Sequence, residues 1–227
     1  TDIFQIQDDI SDAIVDALRV HLDPGHRRAS AVRTASLEAY DLYLQGRHEA
    51  RQAQQGSLQK ALDLFRQATE ADPDYAPAWA ASALAVIYLR ESAFWDGVPE
   101  AEAVELAQAH IDRALALDPD LADAYVAKTA LLWDRYRFEE ALASIERALA
   151  INSSLALAHL ERATVLESLG RIAEARDSLL TAADLDPLDM SILLRAIADA
   201  RDYRDLALLD EVERRLRQQA TGESADL

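Results

Sequence analysis

The sequence predicts an all-α protein: a right-handed superhelical solenoid of helix–turn–helix repeats, preceded by an amphipathic helix. Half of the 227 residues are apolar, and only six glycines and six prolines occur, which is typical of helical proteins. One phrase recurs as ATEADPD at 68–74, ALALDPD at 114–120 and AADLDPL at 182–188. Two of its prolines, Pro119 and Pro187, lie 68 residues apart, which is twice the 34-residue period of a helical-hairpin repeat.

Residues 1–22 are expected to form the N-terminal amphipathic helix. Its apolar stripe consists of Ile3, Ile6, Ile10, Ile14 and Leu18, and its acidic stripe of Asp2, Asp9, Asp12 and Asp16. Helices that bind membrane surfaces carry a basic polar face, so these isoleucines should be buried against protein. The favoured site is the first repeat of the same chain, next to Tyr40, Tyr43 and Leu44. The alternative is the same helix of a second chain, which would make a homodimer.

A linker is expected at 23–36, because Pro, Gly, Ser and basic side chains follow one another there. It contains RRAS at 27–30, a short basic motif of the kind that kinases recognise and that also arises by chance. The chain begins with Thr rather than Met, from which we expect a piece of a longer protein.

The repeats become visible when small and large residues are compared at 34-residue intervals. A small–large–small pattern at i, i+4 and i+7 marks one face of a helix, where small residues allow close approach of a neighbour. The pattern occurs as Ala61, Phe65 and Ala68; Ala107, Ile111 and Ala114; Ala141, Ile145 and Ala148; and Ala175, Leu179 and Ala182. The preceding helices carry Trp79, Ala83 and Val86; Tyr125, Thr129 and Leu132; and His159, Ala163 and Leu166.

These patterns divide residues 37–219 into five copies, followed by a tail at 220–227. The copies are 37–75, with an ambiguous first-helix register; 76–121; 122–155; 156–189; and a degenerate pair at 190–219, with a stripe of Leu209, Val212 and Leu216. Copy 76–121 has 12 extra residues, assigned to an insert at 89–103. Its adjacent Phe94 and Trp95 should dock, either over their own repeat or against a partner.

The recurring phrase is expected to end one helix and begin the next. Proline disfavours helix in the residue before it, and the following aspartate, Asp74 or Asp120, is placed to cap the next helix. In ALAINSS at 148–154, Ser153 takes the place of the proline. Gly170 is expected in the turn between two helices.

With its 34-residue copies, alanine pattern and terminal proline, this sequence resembles the tetratricopeptide repeat (TPR) family over roughly 180 residues. The resemblance implies a helical solenoid whose first helices line a concave surface. A further resemblance comes from the order of TDIFQIQDDISDAIVDAL, LEAYDLYLQGR and FWDGVPEAEAVELA. This order is similar to the C-terminal repeat region behind class III adenylate or guanylate cyclase domains in bacteria, and similar regions follow winged-helix regulators. It implies a signalling parent, without a cyclase active site in this chain.

The inward positions of the first helices are the candidate partner site. By the repeat register these are Leu84, Ile87, Tyr88, Val126, Ala130, Trp133, Leu160, Thr164 and Glu167. Such a groove could hold an extended peptide or a helix. The alternative is that these side chains pack on neighbouring helices.

Composition limits the other functions. A net charge of −18 repels phosphate backbones and anionic lipids, so neither nucleic acid nor a membrane is an expected partner. No cysteine occurs, which suits a reducing compartment such as the cytoplasm. No apolar run approaches the ~20 residues that span a bilayer.

We find no catalytic residues, metal site or cofactor motif. No two of the histidines at 21, 26, 48, 110 and 159 lie three or four residues apart, and the glycines are scattered singly. The sequence therefore predicts a non-catalytic interaction or regulatory module of a bacterial signalling protein. Two alternatives remain: a structural tail that dimerises its parent enzyme or regulator, and an enzyme fragment.

Overall fold

A computed structural model of the chain describes residues 34, 36–52, 56–91, 99–187 and 189–221. Within these ranges it contains ten α-helices and no strand. They are α1 (Leu37–Arg51), α2 (Ser57–Ala71), α3 (Ala76–Glu91), α4 (Glu100–Leu117), α5 (Ala122–Asp134), α6 (Phe138–Ile151), α7 (Ala156–Ser168), α8 (Ile172–Leu185), α9 (Met190–Asp202) and α10 (Leu206–Thr221). The expected helix at 1–22, the RRAS motif, and Phe94 and Trp95 lie outside the described residues.

Successive helices pair as antiparallel hairpins that stack into a solenoid, as predicted. Every member of the four small–large–small triplets is buried. In α6, for example, Ala141, Ile145 and Ala148 are all fully buried. Because alanine leaves room for the neighbouring backbone, the large residue between two alanines fills the inter-helix space.

The turns between hairpins share one hydrogen-bonding scheme. The side chains of Asp72, Asp118 and Asn152 each accept a hydrogen bond from the backbone N–H two residues later, at 3.0, 3.0 and 3.1 Å. Asp72 and Asp118 directly precede a proline, and Asn152 directly precedes Ser153. The expectation that Asp120 caps the next helix is wrong, because Leu121 is the N-cap and makes no side-chain cap. The Asp120 carboxylate instead pairs with Arg147 at 2.7 Å, as Asp74 pairs with Arg113.

Ser153 replaces a proline in this scheme, as predicted. Its carbonyl accepts a hydrogen bond from His159 Nε2 at 3.0 Å. The carbonyls of Pro73 and Pro119 accept equivalent bonds from Trp79 Nε1 at 2.9 Å and Tyr125 Oη at 3.0 Å. Each donor lies six residues after its acceptor, so the four turn residues and the following helix keep the same arrangement in all three copies.

The sequence pattern left the register of α1 in the first repeat ambiguous, and Gly46 establishes it. Gly46 is buried in α1, and a Cβ there would lie 2.5 Å from Cε1 of Phe65. Glycine therefore allows the aromatic ring of α2 to lie directly on the α1 backbone. Ser36, assigned above to the linker, is the N-cap of α1 and accepts a hydrogen bond from Ala39 N at 3.1 Å.

The extra residues of the second repeat are shared between helices and loop. Helices α3 and α4 have 16 and 18 residues, against 13 and 14 in α5 and α6. The predicted insert at 89–103 is therefore too broad: 89–91 end α3, and α4 starts at Glu100. Apolar contacts continue along both helices, with Leu89 and Ala103 buried.

The last pair departs from the predicted stripe. Leu208 and Val212 are buried in α10, whereas Leu209 is only half-buried. The reason is the size of Leu209, which occupies the position held by Ala175 and Ala141 in earlier repeats. A leucine cannot enter the close contact that alanine makes, so α10 turns Leu208 inward. The side chain of Leu216 lies outside the described residues.

Three inter-helix turns contain a left-handed residue at a 34-residue interval. They are Tyr136 (φ 58°), Gly170 (φ 75°) and Arg204 (φ 52°). Gly170 in the turn was predicted. Tyr136 and Arg204 adopt a conformation that is unfavourable for residues with a Cβ, so the hairpin geometry, rather than local preference, imposes it.

Candidate partner-binding groove

A groove of about 600 Å³ crosses the concave side of the solenoid. It runs obliquely, from the second half of α1, along α3 between Pro77 and Tyr88, to the first turns of α5, α7 and α9. Its central apolar surface comes from Tyr43, Leu84, Tyr88, Val126 and Leu160. This volume lies within the range of roughly 300–1,000 Å³ that is typical of ligand-binding clefts.

Four of the nine predicted groove residues line it together: Leu84, Tyr88, Val126 and Leu160. Two others, Ile87 and Ala130, are 1% and 3% exposed and do not line the groove. Val126 does line it, although it too is only 1% exposed. For these two residues, packing against neighbouring helices is the observed role.

The remaining three predicted residues lie in the last two turns of α5 and α7 and contact neighbouring groups there. Trp133 Nε1 donates to Ser168 Oγ at 2.7 Å, and Thr164 Oγ1 donates to the carbonyl of Leu160 at 3.3 Å. Glu167 forms an ion pair with Arg195 of α9. The oblique path of the groove leaves these last turns outside its lining.

Polar contacts connect the first helices across the concave side. Arg90 of α3 pairs with Asp134 of α5, and Tyr88 Oη donates to Glu161 Oε1 of α7 at 2.5 Å. The latter bond passes over α5. These contacts fix the relative positions of α3, α5 and α7 and hence the width of the groove.

Sequence reasoning missed the contribution of α1. Gly46 occupies in α1 the repeat position that Ala83 occupies in α3 and Thr129 occupies in α5. Tyr43, three residues earlier, therefore corresponds to Val126 of α5. Arg47, one residue later, corresponds to Leu84 of α3. The buried glycine was the available signal, but the longer turn after α1 obscured it. Asp123 was also missed, although it precedes Val126 by three residues and lies on the same face of α5.

The α1 end of the groove is cationic. The Arg47 guanidinium carbon lies 5.7 Å from the centre of the Tyr43 ring, and that ring packs edge-on against Tyr75 at 5.3 Å. Neither Arg47 nor Arg51 forms a close ion pair with any described residue, although the charge of Arg47 acts on Asp123. Both guanidinium groups line the groove.

Asp123 and Tyr43 face each other within the groove. Burial raises the pKa of the Asp123 carboxyl, and the nearby Arg47 opposes that rise. Burial also raises the pKa of Tyr43 to about 12, with a further contribution from the charge of Asp123. Asp123 remains accessible to water, so its desolvation comes from the surrounding groove walls.

The described residues contain no group of three His, Asp or Glu side chains that could hold a metal ion. His110 is packed against the Trp79 ring at 5.1 Å, and burial lowers its pKa to about 4, with Arg66 adding to the effect. Across the described part of the chain, no helix combines the length and apolarity that crossing a membrane requires.

No protein-family model and no curated protein matches this chain. Solved structures do. TTC0263, a thermophilic TPR protein of Thermus thermophilus, is 20% identical with a TM-score of 0.57, over 72% of this chain and 81% of that one. PilF of Pseudomonas aeruginosa is 22% identical with a TM-score of 0.53, over 80% of this chain and 76% of that one. This likeness is one of fold: the chain is a helical repeat solenoid of the kind found in TPR proteins.

Proposed function

We propose that the oblique groove binds a segment of a protein partner, and that the chain acts as a non-catalytic interaction module. The observation that carries this proposal is the apolar lining from α1, α3, α5 and α7, flanked by Arg47 and Arg51. TPR-type folds are associated with protein–protein interaction, which supports the same reading.

The lining favours a partner segment with two or three apolar side chains. Each such side chain would gain roughly 1.5–3 kcal/mol by leaving water. The two arginines favour an acidic side chain or a terminal carboxylate at the α1 end, since guanidinium groups bind carboxylates in a fork geometry. Asp123 disfavours a second acidic group further along the groove.

Peptides selected from a random 12-residue display library on the immobilised protein provide the test. Their affinity is measured by fluorescence anisotropy. We expect Leu160→Asp and Arg47→Ala to weaken binding by about tenfold or more, equivalent to about 1.4 kcal/mol. Arg217→Ala is the matched control, because Arg217 is exposed and pairs with Glu213 at 2.9 Å in α10.

Trp133→Ala separates this oblique groove from the straighter one that the sequence predicts. It should leave binding unchanged, because Trp133 contacts Ser168 and does not line the groove. Tyr88→Ala should weaken binding. Loss with Trp133→Ala but not with Leu160→Asp would contradict the oblique site, and equal loss with Arg217→Ala would contradict a groove mechanism.

We further propose that the chain is a regulatory module of a bacterial signalling protein. In this proposal the protein is cytoplasmic, and the module is linked to a nucleotide cyclase domain. It rests on the order of the three segments at 1–18, 37–47 and 94–107. Sequence upstream of Thr1 in the encoding gene is the direct test. A cyclase domain would support the link, and any other domain would replace it.

The alternative, a dimerisation tail, has one observation in its favour. The last pair exposes Leu194 and Leu206 at 60% and 73% of their surfaces. Light scattering across protein concentrations distinguishes the two functions. A dimer that Leu194→Gln and Leu206→Gln convert to a monomer would favour the tail.

A further inference from the structure

Three charged side chains meet where the last pair docks on the preceding repeat. Glu167 lies in the last turn of α7, and Arg195 and Asp199 lie one turn apart in α9. Arg195 pairs with Glu167, and its Nε donates to Asp199 Oδ1 at 2.8 Å. One cation thus serves two carboxyl groups.

The cluster is removed from water on its acidic side. The side chain of Glu167 is 13% exposed and that of Asp199 is 11% exposed. The second oxygen of Asp199, Oδ2, is buried and accepts no hydrogen bond from the described residues. A buried carboxylate oxygen without a donor is costly, so the arrangement is incomplete when both acids are ionised.

A single proton completes it. Placed on Glu167, the proton provides a donor for Asp199 and brings the cluster to neutrality, with one carboxylate for one guanidinium. The pKa of Glu167 is raised to about 7: burial is the largest cause, a hydrogen bond with Asp199 adds to the rise, and Arg195 opposes it.

The other groups near the cluster do not replace that proton. From α5, Trp133 offers an indole N–H that is already donated to Ser168. Tyr203, directly after α9, has its pKa raised mainly by burial and then by the charges of Glu167 and Asp199. Its hydroxyl does not donate to Asp199 Oδ2, which has no hydrogen-bond partner among the described residues. Arg195 is therefore the cation that faces both acids.

We propose that Glu167, Arg195 and Asp199 form a proton-dependent latch that fastens α9 and α10 to the preceding repeat. The latch is closed with one proton on the carboxyl pair, and it loosens as that proton passes to solvent. The remaining attachments are the shared apolar cluster around Leu166 and Leu193, and the ion pairs Arg176–Asp205 and Arg215–Asp184. Loss of the proton therefore loosens the pair without unfolding the repeats before it.

The direction of the pH dependence follows from linkage. The folded cluster binds a proton that unfolded Glu167 releases near its ordinary value of 4.5, so the stabilisation is complete at low pH and falls as pH rises through about 7. With a pKa of 4.5 in the open state and about 7 in the closed state, the equilibrium constant for opening of α9 and α10 should rise by about tenfold between pH 6 and pH 8.

Hydrogen–deuterium exchange of the whole chain tests the latch, with rates corrected for the pH dependence of chemical exchange. We expect peptides from 190–217 to lose about tenfold protection from pH 6 to pH 8, whereas peptides from α5 and α6 keep theirs. Glu167→Gln should abolish this dependence, because the amide cannot ionise and still offers a donor. Asp199→Asn should also abolish it, by removing the second acid.

Glu174→Gln is the matched control. Glu174 is an exposed carboxyl in α8, paired with Arg171 at 2.6 Å, and its loss should leave the pH dependence intact. Unchanged protection across this pH range in the unmodified protein would overturn the proposal without any variant. An equal pH dependence in Glu167→Gln or Asp199→Asn would do the same.

Discussion

The hairpin α5–α6 and the hairpin α9–α10 have the same connection but different packing. Each joins its helices through three residues, 135–137 and 203–205, with a left-handed residue in the middle. In α6, Ala141 allows close contact with α5, where Thr129 is fully buried. In α10, Leu209 takes the alanine position and remains half-buried, while Leu208 turns inward.

The packing at this one position is what distinguishes the two hairpins. The central hairpin relies on close backbone approach, so its stability depends on residue size. Ion pairs do not distinguish them, because the central hairpin has Arg90–Asp134, Arg147–Asp120 and Arg162–Glu146, and the last hairpin has the pairs of Arg176, Arg195 and Arg215. Since partly exposed ion pairs contribute little each, the looser packing at Leu209 means that the last hairpin should open before the central one.

Ile145→Ala should have the largest effect and tests the central hairpin. Ile145 is fully buried, so truncation should cost about 3–4 kcal/mol of unfolding free energy through lost burial and a cavity. Val212→Ala, equally buried in the last hairpin, should cost about 1.5–2 kcal/mol, because fewer methyl groups are lost. Urea unfolding followed by circular dichroism measures both. A larger cost at Val212 would reverse the comparison.

Ala141→Leu transfers the residue of the last hairpin into the central one. The added methylenes meet α5 at a fully buried position, so we expect a loss of about 2–3 kcal/mol in the same urea experiment. Leu209→Ala should change stability by less than about 1 kcal/mol, since Leu209 is only half-buried. Tolerance of leucine at 141 would mean that alanine does not set the helix spacing.

Arg204→Gly tests the left-handed turn residue that both hairpins share. Glycine adopts the left-handed conformation without a steric cost, so we expect stabilisation of about 1 kcal/mol, measured by thermal unfolding. Tyr136→Gly should gain less, because it loses the edge-on contact with Phe138 at 6.0 Å. Gly170→Ala should destabilise. A loss with Arg204→Gly would indicate that its side chain outweighs the backbone strain.

Ser153→Pro should have the smallest effect. Ser153 occupies the position of Pro73 and Pro119, so proline should be neutral or stabilise by up to about 1 kcal/mol through the unfolded chain. The Asn152 and His159 hydrogen bonds do not use the Ser153 N–H. A drop of several kcal/mol in urea unfolding would show that residue 153 cannot adopt the conformation of a proline.

Periodicity made most of the fold predictable, because alanines, prolines and aromatic donors recur at fixed intervals. The exact lining of the groove was less predictable. Trp133 and Glu167 occupy inward register positions, yet the groove crosses the helices obliquely and misses them. Register describes one helix at a time, whereas the path of a groove depends on how stacked helices are offset. The α1 contribution required recognising Gly46 as the counterpart of an alanine.

The shared turn between hairpins makes the repeats interchangeable. The residues that end α4 and α6, Asp118 and Asn152, have φ, ψ of −138°, 100° and −140°, 98°. The residues that begin α5 and α7, Leu121 and Leu155, have −77°, 105° and −80°, 102°. Excising 122–155 would therefore join two ends that already match. Gene duplication or deletion can change the length of such a chain in whole units, whereas the groove, which draws on five first helices, is reassembled from different side chains each time.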